Sequence, residues 1–224
     1  MISHEFRTPL SIIQSQSSLM RKEYTKGIDQ VLKRLEAIAG ATGRLKVMFD
    51  KWLQSDSLKE TLQSLEIKCF SLRGWVQNLL QNHAHLLLNH TVNVQLPVQI
   101  DTVLADDYHL DIALSNLLDN AAKYSPANST ITISTRTKSG FVGIVVTDQG
   151  PGIPEEVQGK IFSDFFRVAP ESHIRGMGLG LSIVQRIVDA HHGHIELTSA
   201  LGKGSTFCVW IPAGTSASSS VLAQ

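Results

Sequence analysis

Apolar residues recur at alternating spacings of four and three along the first quarter of the chain. The first series is Phe6, Leu10, Ile13, Ser17 and Met20, and the second is Val31, Leu35, Ile38, Thr42, Leu45, Phe49 and Trp52. A repeat of 3.5 residues is typical of the narrow apolar seams of helical bundles. We therefore expect two helices between residue 1 and about residue 55. They are joined by a turn at 23–27, and Asp29 is a candidate N-cap of the second helix.

These two helices cannot bury both seams against each other. The pattern favours association of two copies into a four-helix bundle, that is, a homodimer formed through the hairpin. The alternative is that the seams pack against the rest of the same chain. The regularity of the repeat favours the dimer.

The pattern changes after a polar connector at 55–66. Apolar–polar alternation and turn residues predict strands at 67–70, 91–97, 99–105, 130–137, 141–147, 194–199 and 205–211, with helices at 72–88, 107–124 and 179–191. This order indicates an α/β sandwich, with helices on one face of a mixed sheet. The predicted fold is thus α+β, with a helical hairpin at 1–60, a sandwich domain at 67–213 and a Ser/Ala-rich disordered tail at 214–224.

The composition excludes several classes of protein but does not indicate a particular chemistry. Hydrophobic residues make up 42% of the chain and the mean hydropathy is +0.02, which is enough apolar material for a packed core. The net charge is zero and the pI is about 7.1, which argues against a nucleic-acid binder that relies on basicity. The sequence has no apolar run long enough to cross a membrane and no signal peptide, and Cys69 and Cys208 have no metal or redox spacing. These features predict an intracellular globular chain.

Two glycine-rich segments follow predicted strands or open predicted helices. Asp148-Gln-Gly150-Pro-Gly152-Ile-Pro comes directly after a strand, and Gly176-Met-Gly178-Leu-Gly180-Leu181 opens a helix. Glycines let backbone approach a ligand closely, and free amides at a helix N-terminus suit phosphates. Taken singly, either motif is explained equally well by turn and cap chemistry.

A third element lies on the predicted helix at 107–124. Asn116, Asn120 and Lys123 share one stripe at positions i, i+4 and i+7, opposite an apolar face. Carboxamides and an ammonium on one face can hold hydrated Mg²⁺ and phosphate oxygens, because Mg²⁺ needs few protein ligands. An isolated stripe of this kind is usually a solvated face, but the three elements in this order on one domain favour a nucleotide site.

Five segments in order resemble the H, N, G1, F and G2 boxes of sensor histidine kinases. They are Ser3-His4-Glu5-Phe6-Arg7-Thr8-Pro9-Leu10, Asn116-Leu-Leu-Asp-Asn120-Ala-Ala-Lys123-Tyr124-Ser125, Asp148-x-Gly150-x-Gly152, Phe162-x-x-Phe165-x-Arg167, and Gly176-x-Gly178-x-Gly180-Leu181. The resemblance covers residues 1 to about 213. It implies an ATP-dependent kinase of two-component signalling, in the superfamily that includes gyrase, Hsp90 and MutL.

The resemblance also implies a role for each matched residue of the nucleotide domain. Asn120 would be the Mg²⁺ ligand, Asn116 and Lys123 would lie near the phosphates, and Tyr124 would line the nucleotide. Asp148 would accept a hydrogen bond from the adenine amino group, in a pocket shaped by Gly150 and Gly152. Phe162, Phe165 and Arg167 would lead into a lid, with Arg167 a candidate γ-phosphate contact. Gly176, Gly178 and Gly180 would cradle the phosphates, with Leu181 beside them.

In the hairpin, the resemblance makes His4 the phospho-acceptor, Glu5 its acid–base neighbour and Thr8 a residue for dephosphorylating the partner regulator. His4 falls one residue off the apolar seam and is expected to face solvent, where a neutral imidazole is a competent nucleophile. The implied partner is the receiver domain of a response regulator. The implied setting is the cytosol, as the cytosolic portion of an inner-membrane sensor kinase whose anchoring segments lie outside this chain.

Alternatives within and beyond the superfamily remain open from sequence. ATP-hydrolysing relatives usually carry a glutamate one turn before the Mg²⁺-binding asparagine, where this chain has Asn116, which favours transfer to another acceptor. Anti-sigma serine kinases share the nucleotide domain but lack the hairpin. A pseudokinase that only senses nucleotide or scaffolds a regulator is a third alternative. Asp164 departs from the proline common in the F box.

Overall fold

The computed structural model describes residues 2–23, 28–96, 102–138, 140–168 and 177–213, with the backbone alone at 2–6, 21–23, 44, 47–57 and 59. It divides into two compact units, Met1–Lys59 and Glu60–Gln224. The tail predicted to be disordered, 214–224, lies outside the described residues.

The first unit consists of two long helices. Helix α1 spans Ile2–Glu23 with Pro9 inside it, and α2 begins at Ile28 and ends at Thr61. Arg34 Nη1 in α2 donates to Gln16 Oε1 in α1 at 3.2 Å, so the two helices are bridged by side chains. The prediction that the second helix ends near residue 55 is wrong, since it continues into the expected connector. Asp29 lies in the first turn of α2 and not at its N-cap. In the first turn its carboxylate interacts favourably with the positive end of the helix dipole.

The second unit is built on a five-stranded mixed sheet in the order β2-β4-β5-β7-β6, with β2 and β4 parallel and the other neighbours antiparallel. A separate antiparallel pair joins β1 to β3. The strands are β1 Lys68–Ser71, β2 Thr91–Gln95, β3 Thr102–Ala105, β4 Thr130–Lys138, β5 Phe141–Thr147, β6 His194–Ser199 and β7 Ser205–Pro212. The helices are α3 Leu72–Asn82, α4 Asp107–Tyr124, α5 Glu155–Gln158 and α6 Gly180–Ala190, with a 3₁₀ turn at Ala84–Leu86.

Alternation along the strands separates the two faces of the sheet. Ile131, Ile133, Ile144 and Ile211 are at most 1% exposed, as are Leu114 and Leu117 of α4. Helices α4 and α6 pack against each other and contact the central strands, which places the main core between helices and sheet. The predicted α+β fold with a mixed sheet is confirmed.

Two predicted elements are shorter than expected because tertiary contacts interrupt them. The helix predicted to reach residue 88 ends at Asn82, where His83 Nε2 lies 2.9 Å from Asp111 Oδ2 of α4. The strand predicted to reach residue 97 ends at Gln95, and Arg73 Nη2 binds the next carbonyl, that of Leu96, at 2.7 Å. A strand was predicted from residue 99, and the structure describes it from Thr102, since residues 97–101 lie outside the described residues.

A buried carboxylate joins four segments of the second unit. Asp106 is 4% exposed, and its two oxygens accept hydrogen bonds from the backbone N–H groups of His109 at 3.0 Å and Glu66 at 2.8 Å. Although burial alone would raise it, these bonds hold the pKa of Asp106 below its ordinary value. The Asp106 N–H in turn donates to Nε2 of the buried His191, just after α6. His109 Nε2 lies 3.1 Å from the Thr61 hydroxyl at the end of α2.

His191 is held as a neutral imidazole in one tautomer. Its Nε2 accepts the Asp106 N–H, so the ring proton resides on Nδ1, which donates to the Ile187 carbonyl at 2.8 Å. Burial lowers the pKa of His191 from its ordinary value of 6.5. The unfolded chain therefore binds a proton at His191 more readily than the folded one does.

We expect this difference to make the protein less stable as the pH falls below 6.5, with a slope from this residue of at most about 1.4 kcal/mol per pH unit. The sign follows because the unfolded state binds more protons. Chemical denaturation between about pH 7.5 and 5 measures it. His191→Gln should flatten the dependence, whereas His85→Gln, at an exposed position, should leave the wild-type slope. An unchanged slope in His191→Gln would contradict the assignment.

Candidate functional site

A cavity of about 330 Å³ opens in the second unit, between α4, α6, the end of β5 and strand β7. Six of its lining residues were predicted as site residues: Asn120, Tyr124, Asp148, Gly152, Arg167 and Leu181. The remaining lining residues are mostly apolar. The described part of the sandwich domain therefore brings together side chains from the N, G1, F and G2 segments, which are far apart in sequence.

Asp148 supplies the buried acceptor of this cavity. Its side chain follows β5 directly, and its Oδ1 accepts hydrogen bonds from Gly150 N at 2.8 Å and Ser205 N at 3.2 Å. Among the described residues no donor binds Oδ2, so one carboxylate oxygen is left for a ligand. Burial raises the pKa of Asp148, while the two backbone N–H groups oppose that rise. The arrangement suits an amino group that donates a hydrogen bond.

The loop after Asp148 is positioned by close backbone contacts with the β6–β7 turn. Gly152 has φ +75°, and a Cβ there would stand 2.0 Å from the Ala200 carbonyl oxygen, so only glycine fits. Ile153 N donates to Ser199 Oγ at 2.8 Å, and Gly202 N donates to the Pro151 carbonyl at 2.7 Å. The predicted pocket-shaping role of Gly152 thus has a steric basis, whereas Gly150 acts through its N–H on Asp148.

Helix α4 contributes to the cavity through one edge. Asn120 and Tyr124 line it. Asn116 lies one turn earlier, and its Nδ2 donates to the Ile112 carbonyl at 2.7 Å, which orients the amide. Lys123 does not line the cavity and forms an ion pair with Asp119 on its own helix. The three residues of the predicted stripe therefore have different surroundings.

The F segment turns sharply before it reaches the cavity. Phe165 has φ +62°, a strained value for a residue with a side chain, and its N–H donates to the Gly178 carbonyl at 2.9 Å. Gly178 has φ +70°, and a Cβ there would stand 2.5 Å from the Phe166 carbonyl oxygen. Phe166 and Arg167 then line the cavity. Phe165 and Gly178 accordingly support the wall without lining it.

The N-terminus of α6 faces the same region. The helix starts at Gly180, and no side chain among the described residues caps its N-terminus, which leaves its first N–H groups suited to an anion. A Cβ at Gly180 would stand 3.0 Å from Asn116 Oδ1, which shows how closely α4 and α6 approach here. Leu181 lines the cavity. Of the lid predicted at 168–175, Val168 lines the cavity, and residues 169–175 lie outside the described residues, as does Gly176.

Sequence reasoning missed the apolar walls of the cavity and one supporting glycine. The missed lining residues are Pro151, Ile153, Ile161, Phe166, Val168, Ser205 and Phe207. Gly204 has φ +78°, and a Cβ there would stand 2.1 Å from the Asp148 carbonyl oxygen. The Gly-Lys-Gly spacing before β7 was the available signal for Gly204. Apolar side chains that line a cavity have the same pattern as core residues, so no local signal distinguishes them.

The H-box residues belong to the other unit. His4 and Glu5 lie in α1 where the backbone alone is described, and Thr8 lies one turn after His4 with its side chain exposed. Their helical spacing is therefore as expected, and the expected solvent-facing position of the His4 side chain lies outside the described part.

The cavity offers few protein ligands to a divalent cation. Among the residues that the structure describes, no group of three or more His, Cys, Asp or Glu side chains is arranged to hold a metal. The Asn120 carboxamide is a neutral oxygen donor of the kind Mg²⁺ accepts when water and phosphate oxygens supply the other ligands. These residues fit Mg²⁺ bound together with a phosphate ligand.

Comparison with known families assigns both units. Residues 1–61 match the His Kinase A (phospho-acceptor) domain, and residues 105–215 match the histidine kinase-, DNA gyrase B- and HSP90-like ATPase family. The chain is 32% identical over 223 residues to the circadian input-output histidine kinase CikA of Synechococcus elongatus, covering 96% of this chain and 29% of that protein. It is 33% identical to the adaptive-response sensory kinase SasA of a Synechococcus species, over 95% of this chain and 58% of that protein.

Solved structures agree with this assignment. The Acinetobacter baumannii histidine kinase AdeS matches with a TM-score of 0.64 and 25% identity, over 94% of this chain and 98% of that one. The histidine kinase ThkA, in complex with the response regulator protein TrrA, matches with a TM-score of 0.68 and 26% identity, over 95% of this chain and 60% of that one.

The chain belongs to the histidine kinases and contains their phospho-acceptor and ATP-binding domains. The sequence-based prediction of a histidine kinase catalytic core that uses ATP is thereby confirmed. The chain spans 29% and 58% of the two curated relatives named above. Among the described residues, no helix is both long and apolar enough to span a bilayer.

Proposed function

We propose that this chain transfers the γ-phosphoryl group of ATP to His4 and then passes it to an aspartate of a response-regulator receiver domain. The observation that carries the proposal is the cavity in which a buried carboxylate, a carboxamide and an uncapped helix N-terminus meet. The phospho-acceptor domain at 1–61 supplies the matching histidine. A module that only senses nucleotide would not need that histidine.

The cavity offers separate environments to the two ends of ATP. Asp148 Oδ2 would accept the adenine amino group, while guanine presents a carbonyl oxygen there and would be repelled. Apolar walls such as Ile153 and Phe207 would contact the base. The N-terminus of α6 and Arg167 would face the phosphates, because both favour negative charge. Asn120 would hold Mg²⁺, which supplies charge neutralisation on the phosphate oxygens when bound.

At the acceptor, the lone pair of a His4 ring nitrogen would attack the γ-phosphorus as the bond to the ADP oxygen breaks. Glu5, the next residue in α1, would orient or accept the proton on the other ring nitrogen. A receiver-domain aspartate would then take the phosphoryl group from phosphohistidine. Catalysis rests on positioning and charge neutralisation, because phosphoryl transfer needs little other chemistry from the protein.

The hairpin would act as a homodimer, which accords with its uncovered apolar residues. Leu10 is 47% exposed, Leu35 48% and Ile28 75% within the single chain. Leu10 and Leu35 belong to the two predicted seams, so a second copy would cover them in a four-helix bundle. The receiver domain would dock mainly on this hairpin. We place the chain on the cytosolic side, as part of a longer sensor kinase anchored in the inner membrane.

We expect incubation with γ-labelled ATP to give an acid-labile, alkali-stable label, and His4→Gln to abolish it, because glutamine has no nucleophilic ring nitrogen. Nucleotide affinity, measured by titration calorimetry, should stay within about twofold of wild type. His85→Gln serves as the matched control and should label normally. Label that persists in His4→Gln would reject His4 as the acceptor.

Asn120→Ala should weaken Mg²⁺-ATP binding by at least about tenfold, because it removes the oxygen donor to the cation. Titration with and without EDTA separates the metal-dependent part, which should account for most of the loss. Asn93→Ala, at an exposed position of β2 outside the cavity, is the control. Equal affinities for wild type and Asn120→Ala would remove Asn120 from the site.

Thr8→Ala should impair dephosphorylation of the phosphorylated regulator more than it impairs autophosphorylation, since Thr8 lies one turn from His4 and would position water there. The two rates are compared by following labelled kinase and labelled receiver domain in parallel. Ser18→Ala, at an exposed position of α1 outside the predicted seam, is a control. Equal losses of both activities in Thr8→Ala would argue against a phosphatase role.

A further inference from the structure

The turn that leads from the F segment into the cavity is attached at two points, one at Gly178 of the G2 segment and one in helix α6. The first is the backbone hydrogen bond from Phe165 N to the Gly178 carbonyl. The second is an ion pair, in which Arg186 Nη2 of α6 donates to Asp164 Oδ1 at 2.7 Å and Oδ2 at 2.5 Å. Both attachments come directly before Phe166 and Arg167, which line the cavity.

The residue that makes the backbone attachment, Phe165, has a strained conformation. Phe165 has φ +62°, which a residue with a side chain keeps only where its surroundings impose it. That bond fixes the position of the Phe165 amide, and within the turn itself Phe166 N donates to the Ser163 carbonyl at 3.2 Å. Asp164 is the adjacent residue, and its carboxylate contacts α6 two turns beyond Gly180. The ion pair thus attaches the turn to the body of α6, in addition to the backbone bond to Gly178.

The ion pair has features that favour a positioning role over a role in stability. The Asp164 side chain is 42% exposed and that of Arg186 26%, so water screens the pair and its effect on global unfolding should be small. Both carboxylate oxygens are engaged by one guanidinium nitrogen, which restricts the carboxylate orientation. Neither residue lines the cavity, whereas three residues that follow Asp164, namely Phe166, Arg167 and Val168, do so.

From this geometry we propose that Asp164 and Arg186 are positioning residues for ATP, acting through the turn that carries Phe166 and Arg167. The proposal rests on the proposed kinase function. It adds that the Asp164–Arg186 pair positions the part of the cavity wall that would contact ATP. The sandwich domain offers a comparison pair in Lys138 and Glu196, 3.3 Å apart on β4 and β6, neither of which lines the cavity.

The test measures the Kd for Mg²⁺-ATP of the whole chain by titration calorimetry. Asp164→Asn should raise Kd roughly threefold to tenfold, with the maximal autophosphorylation rate falling by a smaller factor. Glu196→Gln, which breaks the comparison pair, should leave Kd within about twofold of wild type. Increasing KCl from about 0.05 to about 0.5 M should bring the Asp164→Asn and wild-type values together, because salt screens a half-exposed ion pair.

A charge exchange separates positioning from a general structural effect. Arg186→Asp alone should raise Kd, because it leaves two carboxylates facing each other. The double variant Asp164→Arg with Arg186→Asp should restore Kd to within about twofold of wild type. Thermal unfolding of the nucleotide-free variants should match wild type. A wild-type Kd in Asp164→Asn, or no recovery in the double variant, would overturn the proposal. Absence of ATP binding by wild type would instead refute the proposed kinase function.

Discussion

A buried carboxylate must be hydrogen-bonded, and in this protein that requirement brings the functional helices together at Asp106. The free-energy cost of burying an unpaired charge is several kcal/mol, on the order of the whole stability of a domain. Asp106 meets it with the N–H groups of His109 and Glu66, while its own N–H binds His191. The start of α4, the connector after α2 and the end of α6 are thereby joined. Asn120 lies on α4 and Leu181 on α6, the two helices that this junction connects.

The same principle shapes the nucleotide cavity at a smaller scale. Asp148 is buried and binds two backbone N–H groups through one oxygen, so its second oxygen is both oriented and available. Glycines permit this because Gly152 and Gly204 stand where any Cβ would overlap a carbonyl group. Close backbone packing thus fixes the orientation of the acceptor, and apolar residues form the adjoining wall of the cavity.

Much of the fold and part of the site could be predicted from local pattern. The helix at 107–124 and the strands at 141–147 and 194–199 have the expected bounds, because alternation or helical periodicity is strong there and caps agree with it. The helix after residue 72 was predicted too long, since the contact of His83 with Asp111 is made across 28 residues. The cavity wall of Ile161, Phe166 and Phe207 could not be distinguished from core for the same reason, as only distant neighbours decide which apolar side chains leave space between them.

The sequence by itself determined the family, the order of the elements and the residues able to carry phosphoryl chemistry. These depend on residue type and spacing, which can be read from the sequence without knowing the tertiary contacts. Only the tertiary structure decided that Asp106 accepts a hydrogen bond from Glu66, that the Asp106 N–H binds His191, and that Asp164 is bound to Arg186. Each of these depends on which charges and donors meet once the chain is packed. Contacts of this kind are decided by burial and geometry in the folded chain, and the pattern of residues along the sequence does not predict them.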